Sequence, residues 1–127
     1  MPELQGNIDR CFGHGSVEEI VAALEREPGE WAKQALAAIA RASPLSLKIT
    51  LHQLALGRGM TVEAALALEY RMTQHVMAGH DFFEGIRALL VEKDNAPRWQ
   101  HASIAAVTPA EVAGYFADLG ERELRFT

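Results

Sequence analysis

The chain has 127 residues, enough for a domain with its own apolar core. Apolar residues make up 49% and charged residues 23%, which excludes a disordered or low-complexity chain. The net charge of −5, with 12 lysines and arginines that form no basic run, argues against a nucleic-acid partner.

Helix signals then follow one another along the chain. The first residues, Met1 to Asn7, are polar and show no apolar signal core. Ser16-Val-Glu-Glu19 is a capping box, and Val17, Ile20, Val21 and Leu24 give the helix after it an apolar stripe ending near Pro28-Gly29. Residues 30–42 are alanine-rich, with Trp31, Ala35, Ala38, Ile39 and Ala42 on one side. Ser43-Pro44 pairs an N-cap with proline at the first helical position, and Leu47, Leu51 and Leu54 follow before Gly57-Arg58-Gly59. Thr61 caps a further helix to about Met77, with Ala64, Leu68, Met72 and His75 or Val76 facing inward and Gly79 closing it in left-handed geometry. Asp81-Phe-Phe-Glu84 repeats the capping-box pattern ahead of Phe82, Ile86, Leu89 and Leu90. Residues 93–107 hold Pro97 and little periodicity, so they read as a loop. Thr108-Pro-Ala-Glu111 opens a last helix with Val112, Tyr115, Phe116 and Leu119 on its stripe.

No segment sustains a period of two, so the expected fold is all-α, about six short helices in a single domain over residues 1–127. No apolar run reaches the roughly 20 residues of a membrane span. Cys11 is the one cysteine, so no internal disulfide can form, and a reducing setting is expected, cytoplasmic by default or an organelle after processing.

The candidate chemistry is thin. His75 and His80 are five residues apart across Gly79, a spacing that does not put two ligands on one helix face, so no metal site is expected. Cys11 lies three residues from His14, but the glycines around that histidine suggest a loop, and a small core residue is the simpler reading of the cysteine. Glu84 and Arg87 stand at ion-pair spacing on a helix. No nucleophile elbow or phosphate-cradling glycine loop occurs, so no catalytic residue is expected. Lys93, flanked by Glu92, Asp94 and Asn95 after a helix end, reads on its own as a solvated lysine.

Several pieces nevertheless keep a distinctive order. They are Cys11-Phe12, Ser16-Val-Glu-Glu-Ile20, Trp31-Ala32, Ser43-Pro-Leu-Ser-Leu-Lys-Ile-Thr50, Glu69-Tyr-Arg71, Asp81-Phe-Phe-Glu-Gly-Ile-Arg-Ala88, Lys93-Asp94, Pro97-Arg-Trp99 and Val107-Thr-Pro-Ala-Glu-Val112. Together they resemble the C-terminal third of 3-hydroxyisobutyryl-CoA hydrolases, in the enoyl-CoA hydratase/isomerase (crotonase) superfamily. The resemblance implies a helical region that follows a β/α core, with the oxyanion hole and acidic groups of thioester hydrolysis in that core. It implies a CoA thioester as substrate of the whole enzyme, no tightly bound cofactor, the crotonase core as partner and a homo-oligomer. In related crotonases the segment matching Leu90-Val-Glu-Lys93 approaches bound CoA. That makes Lys93 a candidate contact for a CoA phosphate, with Leu90 a weaker one because it replaces the family's aromatic. A free-standing helical interaction module is the alternative.

Overall fold

The computed structural model describes residues 2–126 and contains seven α-helices and no strand among them. These are α1 (Pro2–Phe12), α2 (Val17–Arg26), α3 (Glu30–Arg41), α4 (Pro44–Gly57), α5 (Val62–Met77), α6 (Asp81–Ile86) and α7 (Pro109–Gly114). A π-helical turn, Arg87–Val91, continues α6, and short 3-10 turns occupy Ile104–Ala106 and Gly120–Arg122. Among the described residues no helix is long and apolar enough to cross a membrane.

The chain divides into two compact units, Met1–Ala42 and Ser43–Thr127. In the first, α2 packs against both α1 and α3. Cys11, Val17, Ile20, Ala23, Leu24 and Ala32 form its buried interior. Phe12 meets Trp31 edge to face with ring centres 6.2 Å apart. The Ser16 cap forms as expected, its hydroxyl accepting from Glu19 N at 3.1 Å. Glu19 reaches back to the Gly15 N–H at 3.2 Å, one residue earlier than a capping box requires. Helix α1 was not expected from the sequence. Gly6 and the polar residues around it obscure a stripe of Leu4, Ile8 and Cys11 at i, i+4 and i+7.

In the second unit, α4 packs on α7 and on the 3-10 turn at Ile104–Ala106, and α5 packs on α6. Leu45, Ile49, Val107 and Val112 make the buried cluster, with Met72, Tyr115 and Phe116 against it. Lys48 donates from Nζ to the Val107 carbonyl at 3.1 Å, tying the irregular 93–107 segment to α4. Arg71 grips the Glu123 carboxylate through Nε at 2.9 Å and Nη2 at 2.5 Å. That carboxylate also accepts from Leu119 N at 3.0 Å, so the C-terminal segment is held to α5. Ser43, Thr61 and Thr108 cap α4, α5 and α7 through their hydroxyls, each accepting an N–H at 3.1 Å. Gly79 is not in left-handed geometry; α5 closes on Ala78 instead. A side chain at position 79 would sit 3.0 Å from the Tyr115 hydroxyl, so close packing explains this glycine.

Candidate functional site

The segment from His80 to Gln100 gathers most of the unusual backbone and charge of the second unit. It begins at Asp81, whose side chain is only 7% exposed. Its carboxylate does not cap α6, as the Asp-x-x-Glu pattern suggested. It accepts from Ser43 Oγ at 2.5 Å, His80 Nδ1 at 2.9 Å and Gln100 N at 2.8 Å, drawing together three parts of the chain. Burial pushes the Asp81 carboxyl up, but these donors outweigh it and hold the group below the usual aspartate range. Ser, His and Asp meet here without forming a nucleophilic triad. The aspartate sits between the other two, the Ser43 hydroxyl donates to Asp81 while accepting from Ser46 N, and among the described residues no imidazole is hydrogen-bonded to that hydroxyl.

Arg87 is the centre of the second cluster. Its Nε and Nη2 engage both oxygens of Glu84 at 2.8 and 2.6 Å, the pairing that the i, i+3 spacing suggested. Its Nη1 holds Glu92 Oε2 at 2.6 Å and Asp94 Oδ2 at 2.8 Å. Glu84 also accepts from Arg98 N at 2.8 Å, which fastens the returning limb of the loop. Arg87 first, and the Arg98 N–H next, lower the Glu84 carboxyl from its ordinary 4.5 to about 2. The folded value lies below the unfolded one. The pairing therefore stabilises fully above about pH 4.5 and is lost as pH falls toward about 2. Glu84→Gln is expected to flatten the acid limb of stability across that window, read as the urea midpoint of Trp99 fluorescence against pH. An acid limb with unchanged slope would count against this role.

Between these clusters the backbone departs from an α-helix. Glu92 N bonds to the Arg87 carbonyl at 2.8 Å, the i+5 bond of a π-turn, and Asn95 N bonds to Ala88 O at 2.9 Å. Ala88 is fully buried, whereas Leu89, Leu90 and Val91 are all more than half exposed. Lys93 and Asn95 are left-handed, with φ of 57° and 54°. Asparagine tolerates this region, but a lysine there costs about 1 kcal/mol and is retained only where surrounding bonds dictate it. The Asp94 carboxylate supplies one such bond by accepting from Ala96 N at 2.9 Å. Lys93 and Leu90, the two residues singled out in the sequence, thus lie exposed on one turn.

The remaining candidates have structural partners. Cys11 is 1% exposed; burial and then the Glu27 charge push its thiol up, the reverse of an activated nucleophile. His75 Nε2 lies 2.8 Å from the Ala117 carbonyl. No group of three or more His, Cys, Asp or Glu among the described residues is arranged to hold a metal ion. His101, not singled out in the sequence, is half-buried with Nε2 on the Glu111 carboxylate. Ser43 and Gln100 were also missed as partners of Asp81; no local pattern marks contacts 38 and 19 residues away.

Comparison with known proteins places this helical architecture. Residues 1–116 match the family model described as enoyl-CoA hydratase/isomerase, and the chain belongs to that family. Among curated relatives it is similar to the mitochondrial 3-hydroxyisobutyryl-CoA hydrolases of Rattus norvegicus and Homo sapiens. It is 42% identical to the rat protein over 98% of its own length and 40% identical to the human protein over 99%. It covers only 32% and 33% of those proteins, so it spans about a third of the relatives it matches, their C-terminal part. Among solved structures it is similar to an enoyl-CoA hydratase from Rhodobacter sphaeroides, with a TM-score of 0.91 and 46% identity. A carnitinyl-CoA dehydratase from Mycobacterium thermoresistibile matches with a TM-score of 0.89 and 37% identity. Each match covers 98% of this chain, and 37% and 36% of the two solved chains. The expected cytoplasmic setting is overturned by these relatives, which are mitochondrial enzymes by name. A lone cysteine excludes a disulfide within these residues and does not distinguish one compartment from another.

Proposed function

We propose that residues 1–127 form the C-terminal helical region of an acyl-CoA thioester hydrolase that acts on 3-hydroxyisobutyryl-CoA in valine breakdown. The observation that carries this reading is the 40–42% identity to hydrolases of that name across nearly the whole chain. Within this reading the chain supplies no catalytic group. Thioester polarisation and water activation belong to the part of the relatives that this chain does not span. The helices pack on that core and contribute to subunit contacts, a role supported by exposed Phe82, Phe83, Leu89, Leu90 and Val91 around the turn.

Lys93 contacts a phosphate of bound CoA, and Leu90 lies at the margin of that contact. The support is an exposed cation on a backbone fixed by its neighbours. A phosphate paired with a preorganised ammonium gains a charge-assisted bond without ordering a loop. The test is hydrolysis of 3-hydroxyisobutyryl-CoA by the protein expressed from its complete reading frame. Lys93→Ala is expected to raise KM about fivefold with kcat nearly unchanged, because a remote binding contact serves ground and transition states alike. An unchanged KM would remove Lys93 from the binding surface.

A further inference from the structure

We propose that Arg87 is a positioning residue for Lys93: it holds Glu92 and Asp94, the acids on either side, so that neither pairs with the Lys93 ammonium and the cation is left for a CoA phosphate. The inference rests on the reading of Lys93 as a CoA contact.

The geometry is specific. The sequence Glu92-Lys93-Asp94 sets one lysine between two carboxylates on an exposed turn, where the simplest outcome is internal pairing. A lysine so paired would have to break that contact to meet an anion. Here both acids converge on one nitrogen, Arg87 Nη1, at 2.6 and 2.8 Å. Among the described residues, Lys93 makes no ion pair within 4.0 Å. The guanidinium is itself held by Glu84, through Nε and Nη2, at the other edge of its fork. A lysine at position 87 would lack that fork and could not serve Glu84 and both flanking acids in fixed geometry. The Arg87 Nη2 bond to the Ala96 carbonyl, at 3.4 Å, closes the turn beyond Asp94. Arg87 therefore takes up the competitors of a phosphate without touching the phosphate.

Calorimetric titration with CoA at low ionic strength tests this, on the protein expressed from its complete reading frame, with helical content checked for each variant. Lys93→Ala is expected to weaken binding about fivefold, and Arg87→Gln by a similar factor, because the freed acids then compete for Lys93. Adding Glu92→Gln and Asp94→Asn to Arg87→Gln removes the competitors and is expected to restore the wild-type affinity or exceed it. A purely structural Arg87 would give no such recovery. The triple variant still leaves the Glu84 carboxylate without Arg87, so Glu84→Gln is added if the triple protein does not fold: folded protein carrying these changes that binds CoA more weakly than wild type overturns the proposal. If Lys93→Ala leaves the affinity unchanged, the CoA reading fails and this inference with it. If Lys93→Ala weakens binding and folded Arg87→Gln does not, the CoA reading stands and the role of Arg87 is overturned.

Discussion

Replacing Asp81 with alanine is expected to destabilise the second unit by about 3 kcal/mol, the largest effect of any single polar side chain in it. The carboxylate is buried and accepts from Ser43 Oγ, His80 Nδ1 and Gln100 N. Truncation leaves the Ser43 hydroxyl and the Gln100 N–H without their acceptor, and losing partners is costlier than never having had them. Asp81→Asn keeps the shape and one carbonyl acceptor, so a smaller loss of about 1–2 kcal/mol is expected. The folded carboxyl lies below the usual aspartate range. The stabilisation is therefore present above the unfolded value and fades as pH falls through the folded one. Of the two tryptophans, Trp31 lies in the first unit and Trp99 in the second. Urea unfolding followed by Trp99 fluorescence in a Trp31→Phe background reads the effect directly. A loss below about 1 kcal/mol would show that Asp81 is not the tie between α4, α6 and the returning loop.

Leu45→Ala should cost a similar amount, about 3 kcal/mol, by a different mechanism. Leu45 is 3% exposed and packs with Ile49, Val107 and Val112, so truncation removes transfer energy and opens a cavity where α4 meets α7. Leu54 lies farther along α4 at 65% exposure, and its change to alanine is expected to stay within about 0.5 kcal/mol. The pair separates burial from helix propensity, since both leucines sit in one helix. Equal effects at the two positions, measured by the same urea unfolding, would contradict the assignment of the core.

What the sequence conveyed about this fold was chiefly what local chemistry decides. Ser16, Ser43, Thr61 and Thr108 cap the helices they were expected to cap, because an N-cap is settled within four residues. Helix α1 was hidden because Gly6 interrupts a stripe too sparse to stand out. Asp81 carried a local signature, the capping box, that tertiary structure overrode: Ser43 and Gln100 are distant in sequence and offer it better partners. The six residues of α6 are fewer than the stripe through Leu90 suggested, because the chain widens into a π-turn at Arg87. That turn buries Ala88 and turns Leu89, Leu90 and Val91 outward, which a 3.6-residue periodicity does not foresee.

The candidate site shows the same division. Glu84 and Arg87 were legible as a pair from their spacing alone. The left-handed backbone of Lys93 was not, since nothing in a lysine favours that conformation. The convergence of Glu92 and Asp94 on Arg87 was likewise invisible, because it needs the π-turn to bring positions 87, 92 and 94 together. The family was legible early because it rests on short pieces kept in one order along nearly the whole chain.

The most direct measurement is hydrolysis of 3-hydroxyisobutyryl-CoA, assayed on the 127-residue chain alone and on the protein expressed from its complete reading frame. The expected result is no turnover by the 127 residues and turnover by the complete protein, with KM raised by Lys93→Ala. Turnover by the 127 residues alone that is lost on Lys93→Ala would contradict the account, because it would put the chemistry in a chain proposed to contribute only binding and packing.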